Sequence, residues 1–282
     1  MKEKNRLEKI YGDENSRYII LARDITVKVE AMSKESSLNI SPLNLRPFDE
    51  DKDDPSKVKL SRVYVTDDGL KFGYQRQPLT IQARQKFQRH SFPDFKMIAL
   101  DNSGSMKSPI NGSGVGNTQT IPWGDNSKYH YALLGFYGIE NFLQKQGISQ
   151  WINHGVSLFS DSTRFKQGDF SKIDEIRKHA LHPDWGNTYV DATALTESLK
   201  GNGSFVLSLS DGEVQNWSSE KSKFEELVKN NYYAHIQIGG ETQFSRDLKQ
   251  IGAPVFYVNS GKDLSKLMVD ITKQTYDNFT RK

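Results

Sequence analysis

At 282 residues the chain is long for one average domain and short for two large ones. Its 38 basic and 35 acidic side chains interleave to a formal charge of +3, which leaves counterion release no basis for nucleic-acid binding. Cysteine is absent, which excludes a disulfide framework, thiolate metal sites and cysteine nucleophiles.

Two regions are expected. Residues 1–93 form a small α+β appendage. In it, Tyr18, Ala22, Ile25, Val29 and Met32 recur at helical spacing. The acidic run Asp49 to Asp54 lacks the glycine and distal glutamate of an EF-hand and is expected as a solvated loop. Leu60 to Thr66 and Leu70 to Tyr74 alternate around Asp67-Asp68-Gly69, a hairpin pattern.

Residues 94–282 alternate strand and helix. Strands are expected at Phe95 to Leu100, Val156 to Phe159, Phe205 to Leu209, Tyr233 to Ile238 and Val255 to Val258. Helices are expected around the stripe from Tyr129 to Leu143, at Ile173 to His179, Val190 to Leu199, Ser219 to Lys229, Phe244 to Ile251 and Leu264 to Phe279. The segments between strands have crossover length, so the fold class is α/β. A doubly wound, mostly parallel central sheet carries helices on both faces. Ligands of such sheets sit beyond the carboxyl ends of the strands, where strand order switches.

Three polar clusters fall there: Asp101-Asn102-Ser103-Gly104-Ser105, Gly186-Asn187-Thr188 and Ser210-Asp211-Gly212. Serine and threonine hydroxyls are neutral oxygen donors suited to a hard cation such as Mg²⁺, so Ser103, Ser105 and Thr188 are candidate metal ligands. The plainer reading makes Asp101 and Asp211 helix caps and the serines turn formers. The order and spacing of the three clusters resemble the metal-ion-dependent adhesion site of von Willebrand factor A domains, over about two thirds of the chain. The resemblance implies that Asp101 and Asp211 act one shell out, through water and the hydroxyls. It also implies a Mg²⁺ (with Mn²⁺ or Ca²⁺ as substitutes) that keeps an open position for an Asp or Glu of a partner protein. The function expected is protein binding without catalysis. Asp101 is expected at a solvent-facing strand end, so that its replacement spares the fold.

Several features are weighed beside this site. Lys107 to Asn126 departs from the family pattern, as either a lid over the metal or a disordered insert. Its Gly112-Ser113-Gly114-Val115-Gly116 has no P-loop lysine. His179 and His182 share a helix face without a third ligand, and a helix C-terminus that favours a cation accounts for them. Trp185 and Trp217, beside the proposed loops, read as partner contacts or as packing. A rival class is a haloacid-dehalogenase-type phosphatase with Asp101 as nucleophile. That pattern wants Asp where Ser103 stands, and no lysine is evident for it. Without a recognisable signal sequence or spanning segment, a cytoplasmic location is expected. Cytoplasmic relatives imply a MoxR-type AAA+ ATPase or its client as partner, and secreted relatives are adhesins.

Overall fold

The computed structural model describes residues 12, 14–23, 45–47, 58–66, 69–75, 92–110, 126–199 and 203–280. Met1–Val29 with His90–Lys282 form one compact unit, and Glu30–Arg89 form another.

The smaller unit carries an antiparallel sheet, β1 (Leu45–Pro47), β2 (Val58–Thr66) and β3 (Gly69–Gln75), in the order β1-β3-β2. Thr66 pairs with Gly69, which sets the expected two-strand hairpin, and a register shift falls between Lys59 and Val63. The acidic run at 49–54 lies outside the described residues.

The larger unit is an α/β layer structure. Its strands are β4 (Phe95–Asp101), β5 (His154–Phe159), β6 (Thr163–Gly168), β7 (Phe205–Ser210), β8 (Tyr232–Ile238) and β9 (Val255–Val258), in the order β6-β5-β4-β7-β8-β9. Every pairing is parallel except that of the edge strand β6 with β5. The strand order switches at β4, whose neighbours β5 and β7 carry the chain to opposite sides. The C-terminal ends of β4 and β7 therefore flank the crevice where this architecture binds ligands.

Helices cover both faces. Among the described residues they are α1 (residues 14–23), α2 (Lys128–Lys145), α3 (Ile173–Ala180), α4 (Ala192–Leu199), α5 (Trp217–Asn230), α6 (Gln243–Ile251) and α7 (Gly261–Thr280). Strand alternation sorts the core. Phe205, Leu207 and Leu209 of β7 join Ala234, Ile236 and Ile238 of β8 in a cluster with α2 and α7, while Val206 and Tyr233 face α5 and α6. Local chemistry sets the ends: Ser127 caps α2 by accepting from the His130 N–H. Thr242 and Ser245 form a reciprocal cap on α6, which Gly252 closes at φ 97°.

The expected boundary at residue 93 is crossed by the first helix. Tyr18 is fully buried, its hydroxyl lies 2.9 Å from His130 Nδ1, and its ring stacks on Tyr137. Tyr18 and Ala22, the start of the stripe, therefore belong to the core of the α/β unit, and Ile25, Val29 and Met32 lie outside the described residues.

On the α5–α6 face β7 and β8 bury a polar ladder. Ser208 Oγ lies 2.8 Å from His235 Nδ1 and also bonds the Tyr233 hydroxyl, and His235 Nε2 meets Gln237 Oε1. Burial pushes the His235 pKa down to about 4. The folded protein thus holds this ring neutral, whereas the unfolded chain protonates it near about 6.5. Its contribution is complete above the unfolded value and is lost as pH falls toward 4. The stability advantage of the wild type over His235→Asn is expected to shrink by about 2 kcal/mol between about pH 7 and pH 4.5. Urea denaturation of both proteins measures this, and an advantage independent of pH refutes it.

Candidate metal centre

β4 ends at Asp101, and the chain turns at once into a short 3-10 segment, Gly104–Lys107. Asp101 and Ser103 are buried, whereas Gly104 and Ser105 are exposed, so the loop opens to solvent at one point. The Ser103 N–H donates to Asp101 Oδ1 at 2.9 Å, which folds the loop back over the strand end. Ser210, the last residue of β7, donates its hydroxyl to Asp101 Oδ2 at 2.9 Å. Ser103 Oγ and Ser105 Oγ lie 3.0 Å apart, and Ser105 donates to Asp211 Oδ1 at 2.7 Å.

The third loop is stitched to both of the others through its backbone. The Trp185 N–H donates to Asn102 O at 3.0 Å, the Gly104 N–H to Gly186 O at 3.0 Å, and the Gln215 N–H to Thr188 O at 2.9 Å. Thr188 itself is buried. Asp161 pins the loop from the other side by accepting from both nitrogens of Asn187. Those bonds lower the Asp161 pKa. A Cβ at Gly186 would meet the Asp161 carboxylate, which would have to swing away from Asn187 to admit it. Trp185 adopts φ 61°, a left-handed conformation that costs a bulky residue about 1–3 kcal/mol. Its ring is half-buried, edge-on to Tyr129, with the Lys107 ammonium over its face.

The electrostatics are those of two carboxylates held close together. Burial, and then the neighbouring Asp211, push the Asp101 carboxyl up to about 6, against the pull of its Ser103 and Ser210 hydrogen bonds. Asp101 is fully buried, not solvent-facing as its place at a strand end implies. The Asp211 side chain is only 1% exposed and pairs with Lys128 Nζ at 2.6 Å. Lys128 thus supplies a lysine at the site, which the sequence did not reveal; it opens α2, 83 residues before Asp211.

The donor set fits a hard cation. An octahedral shell with bonds of about 2.0–2.1 Å places adjacent oxygens about 2.9 Å apart, close to the separation of the two serine hydroxyls. Two buried carboxylates behind the hydroxyls supply the compensating charge. Groups of three or more His, Asp or Glu side chains arranged to hold a metal are absent among the described residues.

The other sequence candidates resolve differently. Trp217 is buried against Phe224 and Phe244 and donates its indole N–H to Asp247, so it is packing and not a contact surface. Burial lowers the pKa of His179, which opposes the cationic role read from its place near the end of α3. Of the segment Lys107 to Asn126, residues 111–125, which include the glycine run, lie outside the described residues, and with them the choice between lid and insert. The residues on either side of it are pinned together: Pro109 bridges Ser127, and the Lys128 N–H donates to Ser108 O at 3.0 Å. Tyr189, which the sequence reading passed over, is 39% exposed beside Thr188.

No family model and no curated protein matches the sequence. Solved structures of similar fold include the pilus adhesin SpaC from Lactobacillus rhamnosus GG. It aligns at a TM-score of 0.50 and 13% identity, over 85% of this chain and 37% of that one. Another is a von Willebrand factor type A protein from Catenulispora acidiphila, at a TM-score of 0.46 and 14% identity, over 65% of this chain and 43% of that one. The chain spans less than half the length of either, and the likeness is one of fold alone, an α/β sandwich of the Rossmann-like kind.

Proposed function

We propose that the α/β unit is a non-catalytic protein-binding module that grips its partner through a divalent cation. Ser103, Ser105 and Thr188 would hold Mg²⁺ directly, with Asp101 and Asp211 behind them. The observation that carries this reading is the chain of contacts from the buried Asp101 through Ser103 and Ser105 to Asp211, which gathers two strand ends around one solvent-facing point. A cation bound mainly by neutral hydroxyls keeps most of its charge, so it attracts a carboxylate from outside. An Asp or Glu of a partner protein is the fitting ligand, and Mn²⁺ or Ca²⁺ are substitutes.

The phosphatase reading is weaker, although Lys128 provides the lysine it wants. A nucleophilic carboxylate needs a free oxygen aimed at phosphorus. Both oxygens of Asp101 are bonded inside the protein, and Ser103 cannot serve as the acid.

The setting we favour is cytoplasmic, with a MoxR-type AAA+ ATPase or its client as partner. No helix among the described residues is long and apolar enough to cross a membrane. The fold likeness to SpaC keeps a secreted adhesin as the second reading. Calorimetric titration of the chain with Mg²⁺ tests the site: saturable binding is expected from the wild type, and none from a Ser103→Ala, Ser105→Ala double variant. Equal binding by the two would sink the reading. Capture from native extract with and without EDTA then addresses the partner, and surface exposure on intact cells would decide for the adhesin.

A further inference from the structure

Lys128 stands where local chemistry disfavours it. It is the first residue of α2, whose first turn contains no acidic side chain, and a cation at a helix N-terminus opposes the helix dipole. Its side chain is only 17% exposed. The compensation is Asp211, whose two oxygens are both engaged, Oδ1 by the Ser105 hydroxyl and Oδ2 by the Lys128 ammonium. Asp211 is also joined to the buried Asp101 through the Ser105 and Ser103 hydroxyls and the Ser103 N–H. One ammonium therefore neutralises part of a cluster of two buried carboxylates, the same cluster that a divalent ion would neutralise.

We propose that Lys128 is a tethered internal cation that competes with the divalent metal for Asp211 and sets how weakly the site holds that metal. The inference rests on the metal-binding reading above. Without metal, the ammonium satisfies Asp211 and keeps the Ser105 and Asp211 loops together. When a dication enters, it meets a positive charge already bonded to the carboxylate that backs its Ser105 ligand, so metal binding works against like-charge repulsion. A partner carboxylate brings a further negative charge and offsets that repulsion. The metal and the partner then bind more tightly together than either binds alone.

The test is calorimetric titration with Mg²⁺, and with Mn²⁺ as a second probe, of the full chain and its Lys128→Met, Lys128→Gln and Lys128→Arg variants. Met and Gln remove the charge, and Gln keeps a donor for Asp211, so one of them reports even if the other folds poorly. Both are expected to bind metal about tenfold more tightly than the wild type, or better, and Arg to stay near the wild type. In thermal melts the metal-free Met variant should unfold at a lower temperature than the wild type, with saturating Mg²⁺ closing the gap. Measurable wild-type binding with equal or weaker binding by Met and Gln overturns the role of Lys128 and leaves the metal centre standing. Absence of binding by the wild type and all three variants overturns the metal centre, and this inference with it.

Discussion

Replacement of Asp101 by Asn is expected to cut Mg²⁺ affinity by about 100-fold while the metal-free protein becomes more stable. Outer carboxylates of a metal site are worth about 10–100-fold in affinity, and Asp101 belongs at the upper end because it is fully buried. Its charge is also costly to the fold. A carboxyl pushed from 3.8 to about 6 carries a penalty on the order of 2–3 kcal/mol when ionised at neutral pH, which a neutral amide escapes. Asn keeps the size of the side chain and an oxygen to accept from the Ser103 N–H, and the Ser210 hydroxyl can turn to meet the amide. Alanine would confuse the result by leaving both of those groups unsatisfied. The measurement is a Mg²⁺ titration beside a denaturant melt in EDTA. Unchanged affinity would remove Asp101 from the metal centre, and a loss of stability in EDTA would show that its charge serves the fold.

That opposition between binding and stability was only half legible in the sequence. Strand ends followed by Asp-X-Ser-X-Ser and Ser-Asp-Gly mark places where polar chains collect, because apolar runs as short as Phe205 to Leu209, bounded by turn residues, read as buried strands. Periodicity also fixed β9 at Val255–Val258 and α3 from Ile173. It failed at β6, Thr-Arg-Phe-Lys-Gln-Gly, because an edge strand buries little and shows no apolar run. The stripe at Tyr18 and Ala22 was recognised, but a stripe does not name its partner, and here the partner is α2, more than a hundred residues onward. Lys128 was out of reach for the same reason. Its role depends on where α2 begins relative to β7, which is a tertiary fact. The burial of Asp101 follows from Ser210 and the Thr188 loop closing over it, contacts that neither motif announces alone.

Trp217 is a residue whose sequence position left partner contact and packing both open and whose structure favours packing, and its replacement separates the two. It is 4% exposed, with ring centroids 4.7 Å from Phe244 and 5.4 Å from Phe224, and its indole N–H donates to Asp247 Oδ2 at 2.7 Å. Trp217→Ala is expected to cost about 3–5 kcal/mol, since it empties the centre of an aromatic cluster that the surrounding helices cannot refill. Trp217→Phe restores ring packing but not the N–H, so it should cost about 1–2 kcal/mol. Asp247 then retains Gln243 and Lys221. The gap between the two variants in urea melts is the packing contribution, and the residual deficit of Phe is the hydrogen bond. A contact residue would behave in the opposite way, with stability within about 0.5 kcal/mol of the wild type in both variants and partner binding lost. Such a result would mean that the indole leaves its buried position to meet the partner, since a side chain held between α5 and α6 cannot serve both places at once.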